Sequence, residues 1–245
     1  MVEHRRPLGS DPVDHALAEL IGSTAAMVVD VGGGSGTRAV PLAILGCRVT
    51  VVDSSVDALA ILRRRAQDAG VVERVTGVQA DADQLATVVA SGEADLVLCH
   101  HLLEEVDDPT AVITALSAAV RPGGVVSVLV AGRLGAVVGQ TLIGRFSQAR
   151  AMLVDPDGRF SATDPLRRRF DSDGIGALLT DAGLTVESVS GVGVLSGLVS
   201  GAAMQALAGA DTELAGLEAV AAVHPALLQI AADLHVVARR PTNFG

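Results

Sequence analysis

The sequence predicts a doubly wound α/β fold, a mostly parallel sheet covered by helices on both faces. Three observations carry this expectation. Short β-branched runs alternate with longer amphipathic stretches over the first half of the chain. The first strand candidate runs into a cluster of glycines ahead of a helix candidate, in VVDVGGGSGT. Acidic residues then stand where later strand candidates end, the edge at which open sheets of this kind bind ligands.

Residues 1–26 open with MVEHRRPLGSDP, which is charged and holds Pro and Gly, so no signal-peptide core is expected there and the segment reads as N-terminal and helical. Strands are expected at Met27 to Val31, Arg48 to Asp53, Val75 to Gln79, Asp95 to His100 and Gly124 to Val130. Helical periodicity falls between them, near Thr37 to Leu45, Val56 to Asp68, Asp83 to Ala90 and Pro109 to Val120. Ser55 and Asp108 are positioned to cap two of these helices, the second with Pro109 at its first position. Beyond Val130 come a Gly-rich apolar helix, the polar loop DPDGRFSATDP, a helix ending at AGL, a strand at Thr185 to Val189 and a last strand in LHVVAR. The 245 residues are read as one domain, with 27–130 as the nucleotide-binding core and 131–245 as the acceptor side, cap and final strands.

Apolar residues make up 49% of the chain but aromatics only 2%, with no Trp or Tyr, so Ala, Val, Leu and Gly must build the core through many small contacts. Every basic residue is Arg, and the net charge of -10 argues against broad nucleic-acid binding while leaving a local Arg patch open. Cys47 and Cys99 have neither the number nor the spacing of a disulfide framework or a metal cage. They read as buried, reduced thiols of a cytoplasmic protein, and no metal is expected. Ser188 to Ala210 is uncharged and long enough to cross a bilayer, yet Ser, Gln and Gly dilute it. It reads as an apolar cap over a buried ligand, with no membrane span.

The glycine cluster carries the sharpest chemical signal. Gly32, Gly33 and Gly34 let the backbone turn tightly and approach a ligand, and helix N-terminal amides beyond them can receive an anionic group. The spacing departs from the dinucleotide pattern G-x-G-x-x-G, since Thr37 stands at the third position, and an acid, Asp30, precedes the glycines. That favours S-adenosylmethionine (SAM) over a dinucleotide. Asp53, with Ser54 beside it, ends the second strand where a carboxylate can accept both hydroxyls of a ribose. Asp81 or Asp83 can take an adenine amino group while the Ala82 backbone meets the ring edge. LCHHLLEEVDDP then sets His100, His101, Glu104 and Asp107 at the topological switch point, with His100 expected to face the cofactor and Glu104 to anchor the loop.

As a set, DVGGGSG, Asp53, ADAD and RPGG resemble the class I SAM-dependent methyltransferases. The resemblance implies a Rossmann-like, seven-stranded, mostly parallel sheet with a small helical cap, the last strand (Leu234 to Arg239) inserted antiparallel, and turnover of SAM to S-adenosylhomocysteine (SAH). Through HHLLEEVDDP, AVRPGGVVSV, FDSDGIGALLTDAGL and LHVVARRP the chain also resembles the bacterial methyltransferases that esterify the 5-oxyacetic acid group of the wobble uridine of tRNA. It departs from that pattern on the acceptor side: at Glu105 in place of an aromatic, at Ala131, Gly132 and Arg133 in place of an Asn-bearing turn, and at DPDGRFSATDP in place of a Lys-rich loop.

A carboxylate acceptor needs no general base, whereas a hydroxyl or amine acceptor can require one, for which His100, His101 and His235 are candidates. Arg133, Arg145 and Arg167 are candidate partners for an anionic acceptor, and Arg159 with Arg167, Arg168 and Arg169 for tRNA phosphates. The acceptor is thus expected to be a modified tRNA nucleoside or a small carboxylate. A natural-product methyltransferase and a non-catalytic SAM- or SAH-binding protein stand as alternatives.

Overall fold

The structure, a computed structural model, describes residues 11–22, 25–199 and 209–242. Its elements run α1 (Pro12–Ile21), β1 (Met27–Val31), α2 (Ala39–Ile44), β2 (Arg48–Asp53), α3 (Val56–Asp68), β3 (Val75–Gln79), α4 (Leu85–Val88), β4 (Ala94–His100), α5 (Pro109–Ala119) and β5 (Val120–Ala131). They continue with α6 (Arg133–Leu142), α7 (Phe146–Val154), α8 (Ser172–Asp181), β6 (Thr185–Val192), α9 (Ala210–Ala222) and β7 (Asp233–Arg239). The expected caps form. Ser55 Oγ accepts the Ala58 amide at 3.2 Å, and Asp108 Oδ1 accepts those of Thr110 and Ala111 at 2.9 and 3.0 Å.

The strands make one sheet ordered β3-β2-β1-β4-β5-β7-β6. β1 to β5 are parallel, and β7 runs antiparallel between β5 and β6. The order reverses between β1 and β4, which opens a crevice at their C-terminal ends. One face is buried by Leu17, Leu42 and Leu62 from α1 to α3, the other by Leu85, Ile113, Leu116, Ile175 and Leu179 from α4, α5 and α8. Each such leucine contributes about 1.5 to 3 kcal/mol through burial, and the sheet layer between them is almost wholly Val, Leu and Ala.

Several expected boundaries move. The second helix begins at Ala39 because the chain first turns through Gly32, Gly34 and Gly36, all at positive φ. The span Asp83 to Ala90 divides into a single 3-10 turn at Ala82–Gln84 and the short α4. The fifth strand extends back to Val120. The stretch from Ser188 does not form one apolar helix: it continues β6 to Val192, then makes a single turn at Ser196–Leu198, and residues 200–208 lie outside the described residues. No described helix is long and apolar enough to cross a membrane. Cys47 and Cys99 are buried and unpaired with each other.

Candidate active site

The loop after β1 is shaped by close backbone approach. Asp30 is only 3% exposed, and a Cβ on Gly33 would stand 2.5 Å from its carboxyl carbon, so only glycine fits there. Gly34 donates its amide to Asp53 Oδ2 at 2.8 Å, and the Ser55 amide reaches Asp53 Oδ1 at 2.9 Å. Both carboxylate oxygens keep further lone-pair capacity toward the crevice. Asp30 Oδ2 is buried without a hydrogen-bond partner among the described residues. Burial, and then the charge of Asp53, push the Asp30 carboxyl up to about 7.

A cavity of about 790 Å³ follows the C-terminal ends of β2, β1 and β4, within the range of small-molecule sites. Its lining includes Gly32 after β1, Asp53 and Ser54 at the end of β2, Asp81 and Ala82 after β3, and His101 and Glu105 after β4. Leu102 and Val112 add apolar surface. The lining fits SAM: a carboxylate for ribose hydroxyls at Asp53, a glycine at Gly32 that leaves room for close approach, and an acidic and apolar wall for an adenine ring.

His100 does not line this cavity. Alternation along β4 turns it, with Leu98, toward the α1 to α3 face. There its Nε2 meets Ser127 Oγ at 3.0 Å, and the same hydroxyl meets His235 Nε2 at 2.8 Å. Burial holds both imidazoles below the ordinary histidine range, His235 at about 4. The next residue, His101, adopts φ +53° and is the histidine that reaches the cavity. This left-handed step is rare outside glycine and costs about 1 kcal/mol or more.

Glu104 is 1% exposed and anchors this turn. Its Oε1 accepts the Ala131 amide at 2.6 Å and lies 3.2 Å from His101 Nδ1, tying the end of β4 to the end of β5. On the far side, His101 Nε2 is 4.0 Å from Asp233 Oδ2 at the start of β7. The Glu104 hydrogen bond, with help from the charges of Asp233 and Glu104, raises the His101 pKa, while burial and, to a lesser extent, Arg38 oppose the shift. Asp233 is a site residue that sequence reasoning missed, because it precedes LHVVAR with no motif around it.

Most of the candidate acceptor arginines bond within the chain. Arg133 donates to the carbonyls of Leu153, Asp155 and Pro156 at 3.1, 2.6 and 3.2 Å, closing the C-terminus of α7. Arg145 is exposed at the start of α7, outside the cavity lining. Arg167 pairs with Asp107, and Arg168 donates to the carbonyls of Leu103, Val106 and Asp107. Arg169 grips both oxygens of Asp164, at 2.9 and 3.1 Å. Arg159 donates to the Ala162 carbonyl at 3.3 Å. A patch expected to meet phosphates instead ties the 155–169 loop to itself and to the β4–α5 turn, because carbonyls and carboxylates lie within reach of each guanidinium fork.

Residues 29–128 match a family described as a methyltransferase domain. The chain is 33% identical to the ubiquinone biosynthesis O-methyltransferase of Pseudomonas paraeruginosa (strain DSM 24068 / PA7) over 180 residues, covering 71% of this chain and 70% of the relative. It is 29% identical to the tRNA 5-carboxymethoxyuridine methyltransferase of Escherichia coli O157:H7 over 182 residues, 74% of this chain and 68% of that protein. Among solved structures, the magnesium protoporphyrin IX methyltransferase of Synechocystis PCC 6803 with bound SAH shares the fold, with a TM-score of 0.61 at 17% identity over 93% of this chain and 81% of the other. Sheet order, glycine loop and sequence similarity agree, and the chain belongs to the class I methyltransferases, enzymes whose cofactor is S-adenosylmethionine.

Proposed function

We propose that this methyltransferase holds SAM along the β2-β1-β4 crevice and methylates a small molecule rather than tRNA. Asp53 takes the ribose hydroxyls, Asp81 and Ala82 the adenine edge, and the glycine loop after β1 lies against the methionine end of SAM. The observation that carries this reading is Asp53 itself, bonded to the Gly34 amide at one end of a cavity of nucleoside size. When bound, SAM supplies an electrophilic methyl group. The chain's part is to hold an acceptor in line with it, an effect worth up to about 7 to 11 kcal/mol.

A small acceptor is favoured because Arg133, Arg168 and Arg169 are spent on internal partners and the net charge is -10. The O-methyltransferase relatives agree with it. The likeness to the tRNA enzyme supports the second reading, a wobble-uridine carboxylate. We read the chain as one domain acting in the reducing cytoplasm, which suits two buried free thiols. Calorimetric titration with SAM and SAH tests the cofactor site, with micromolar affinity expected. Filter binding of bulk tRNA across a salt series tests the acceptor: no tRNA retention at low salt is expected, and retention that falls steeply with salt would return the assignment to tRNA.

A further inference from the structure

We propose that His101 is the proton acceptor for a hydroxyl-bearing methyl acceptor, with Glu104 as its positioning residue and Asp233 as the group that stabilises the charged imidazole. This rests on the cofactor reading above and names the acceptor class for the same site. The sheet order places the trio. Asp53 ends β2, Gly32 follows β1, His101 follows β4, and Asp233 opens β7 beyond β5. His101 thus stands two strands from Asp53, roughly 10 Å at the usual strand spacing, and both line the same cavity.

The tautomer follows from the partners. Glu104 is buried and its Oε1 already accepts the Ala131 amide, so His101 Nδ1 must donate to it and carries the hydrogen. Neutral His101 then presents a lone pair at Nε2. Asp233 Oδ2, at 4.0 Å, is too far to claim that nitrogen as a hydrogen-bond partner but close enough to favour its protonated form. His101 is half exposed, whereas His235 is 3% exposed and both His100 and His235 are bonded to Ser127. The chain has no Tyr and no Lys to compete. The charged and titratable groups acting on His101 are Glu104, Asp233, Arg38 and His100.

A carboxylate acceptor would need none of this apparatus, since it is already ionised. A hydroxyl does. Its oxygen keeps the O–H bonding pair and uses it to bond the methyl carbon, the carbon–sulfur pair stays on sulfur, and the proton stays on His101 Nε2 until solvent takes it. General bases of this kind are worth 100-fold to 10,000-fold in rate.

The experiment begins with SAH calorimetry on wild type and His101→Gln. Binding to both is expected, and absence of binding to wild type would fail the cofactor reading rather than this one. Histidine-labelled protein saturated with SAH is then titrated by NMR. His101 should be the Nδ1–H tautomer when neutral, with a pKa above the ordinary histidine range that falls in Glu104→Gln. Should that variant not fold, Asp233→Asn should lower the same pKa. Finally, 4-nitrophenol added to the SAH complex should bind as its phenolate, read by absorbance, at least tenfold more in wild type than in His101→Gln. A neutral Nε2–H tautomer, an unmoved pKa, or the same phenolate fraction in both proteins, including none in either, overturns the proposal.

Discussion

The Gly34 amide donates to Oδ2 of Asp53 at 2.8 Å, so the loop after β1 is held by the carboxylate assigned to the cofactor ribose. The acid does two things with one side chain. It fixes the loop across the β1–β2 pair and offers remaining lone pairs to the crevice.

Replacing Asp53 by Ala should therefore weaken SAM binding about 10-fold to 150-fold, the equivalent of roughly 1.5 to 3 kcal/mol for hydrogen bonds to a charged group. Calorimetry on the folded variant reads this directly. Unchanged affinity would remove Asp53 from the site.

Gly33→Ala and Gly34→Ala should differ in kind. A Cβ at Gly33 meets the buried Asp30 carboxyl at 2.5 Å and forces it to move, costing about 1 to 3 kcal/mol of stability as overpacking does. At Gly34 the nearest atom is Asp53 Oδ2 at 3.8 Å, so the cost there comes from the φ of +53° and is about 1 kcal/mol. Suppression of the Gly33→Ala defect by Asp30→Gly, with no such suppression of Gly34→Ala, is the expected pattern in thermal melts.

The pKa of Asp30, about 7 in the fold, lies above the 3.8 of an unperturbed Asp. Between these values the folded chain holds a proton that the unfolded chain has released. The stability from this group is full below about pH 4 and is lost as pH rises through 7, at roughly 1.4 kcal/mol per unit at the steepest. Asp30→Asn should gain stability relative to wild type between pH 5 and 8 in urea unfolding. Parallel pH profiles for the two proteins would contradict the buried, unpartnered acid.

His235 has the opposite sign. Its folded pKa of about 4 lies below the ordinary value of 6.5, so as pH falls through that window the unfolded chain takes up a proton first and the fold loses stability. NMR titration should find its imidazole neutral at pH 5. A His235 that titrates near 6.5 would mean that its imidazole is not buried as the fold places it.

The arginine run separates buried from exposed pairing. Arg169 and Asp164 are 9% and 0% exposed at their side chains, so Arg169→Ala leaves a buried carboxylate with only the Phe160 and Leu166 amides and should cost about 1.5 to 3 kcal/mol. Arg167 and Asp107 are 57% and 87% exposed, and Arg167→Ala should change stability by less than about 1 kcal/mol. Comparable losses in the two variants, measured by chemical unfolding, would refute this division.

The fold was legible where one local rule decides. Glycine clusters, β-branched runs and the Asp108-Pro109 cap each state their element within a few residues, and the strand-end acids follow from the topology those elements imply. The site was less legible where a single dihedral decides. Nothing in CHHLL announces that His101 takes a left-handed step into the cavity, so its place at the switch point did not separate it from His100. The partners of Arg133 and Arg168 were not legible because they are backbone carbonyls, which a sequence does not display. Asp233 comes to His101 only because β7 is threaded beside β5.

That threading also bears on how the chain is made. Ser127 and His235 meet across 108 positions of sequence, and the outer edge of β5 stays open until β7 has been synthesised. At about 5 to 20 residues per second the delay is on the order of ten seconds. During it the nascent chain presents an unpaired strand of alternating valines, a template for pairing with a neighbour on the same polysome. The cofactor half can pair its strands early, but protection from aggregation arrives with β7.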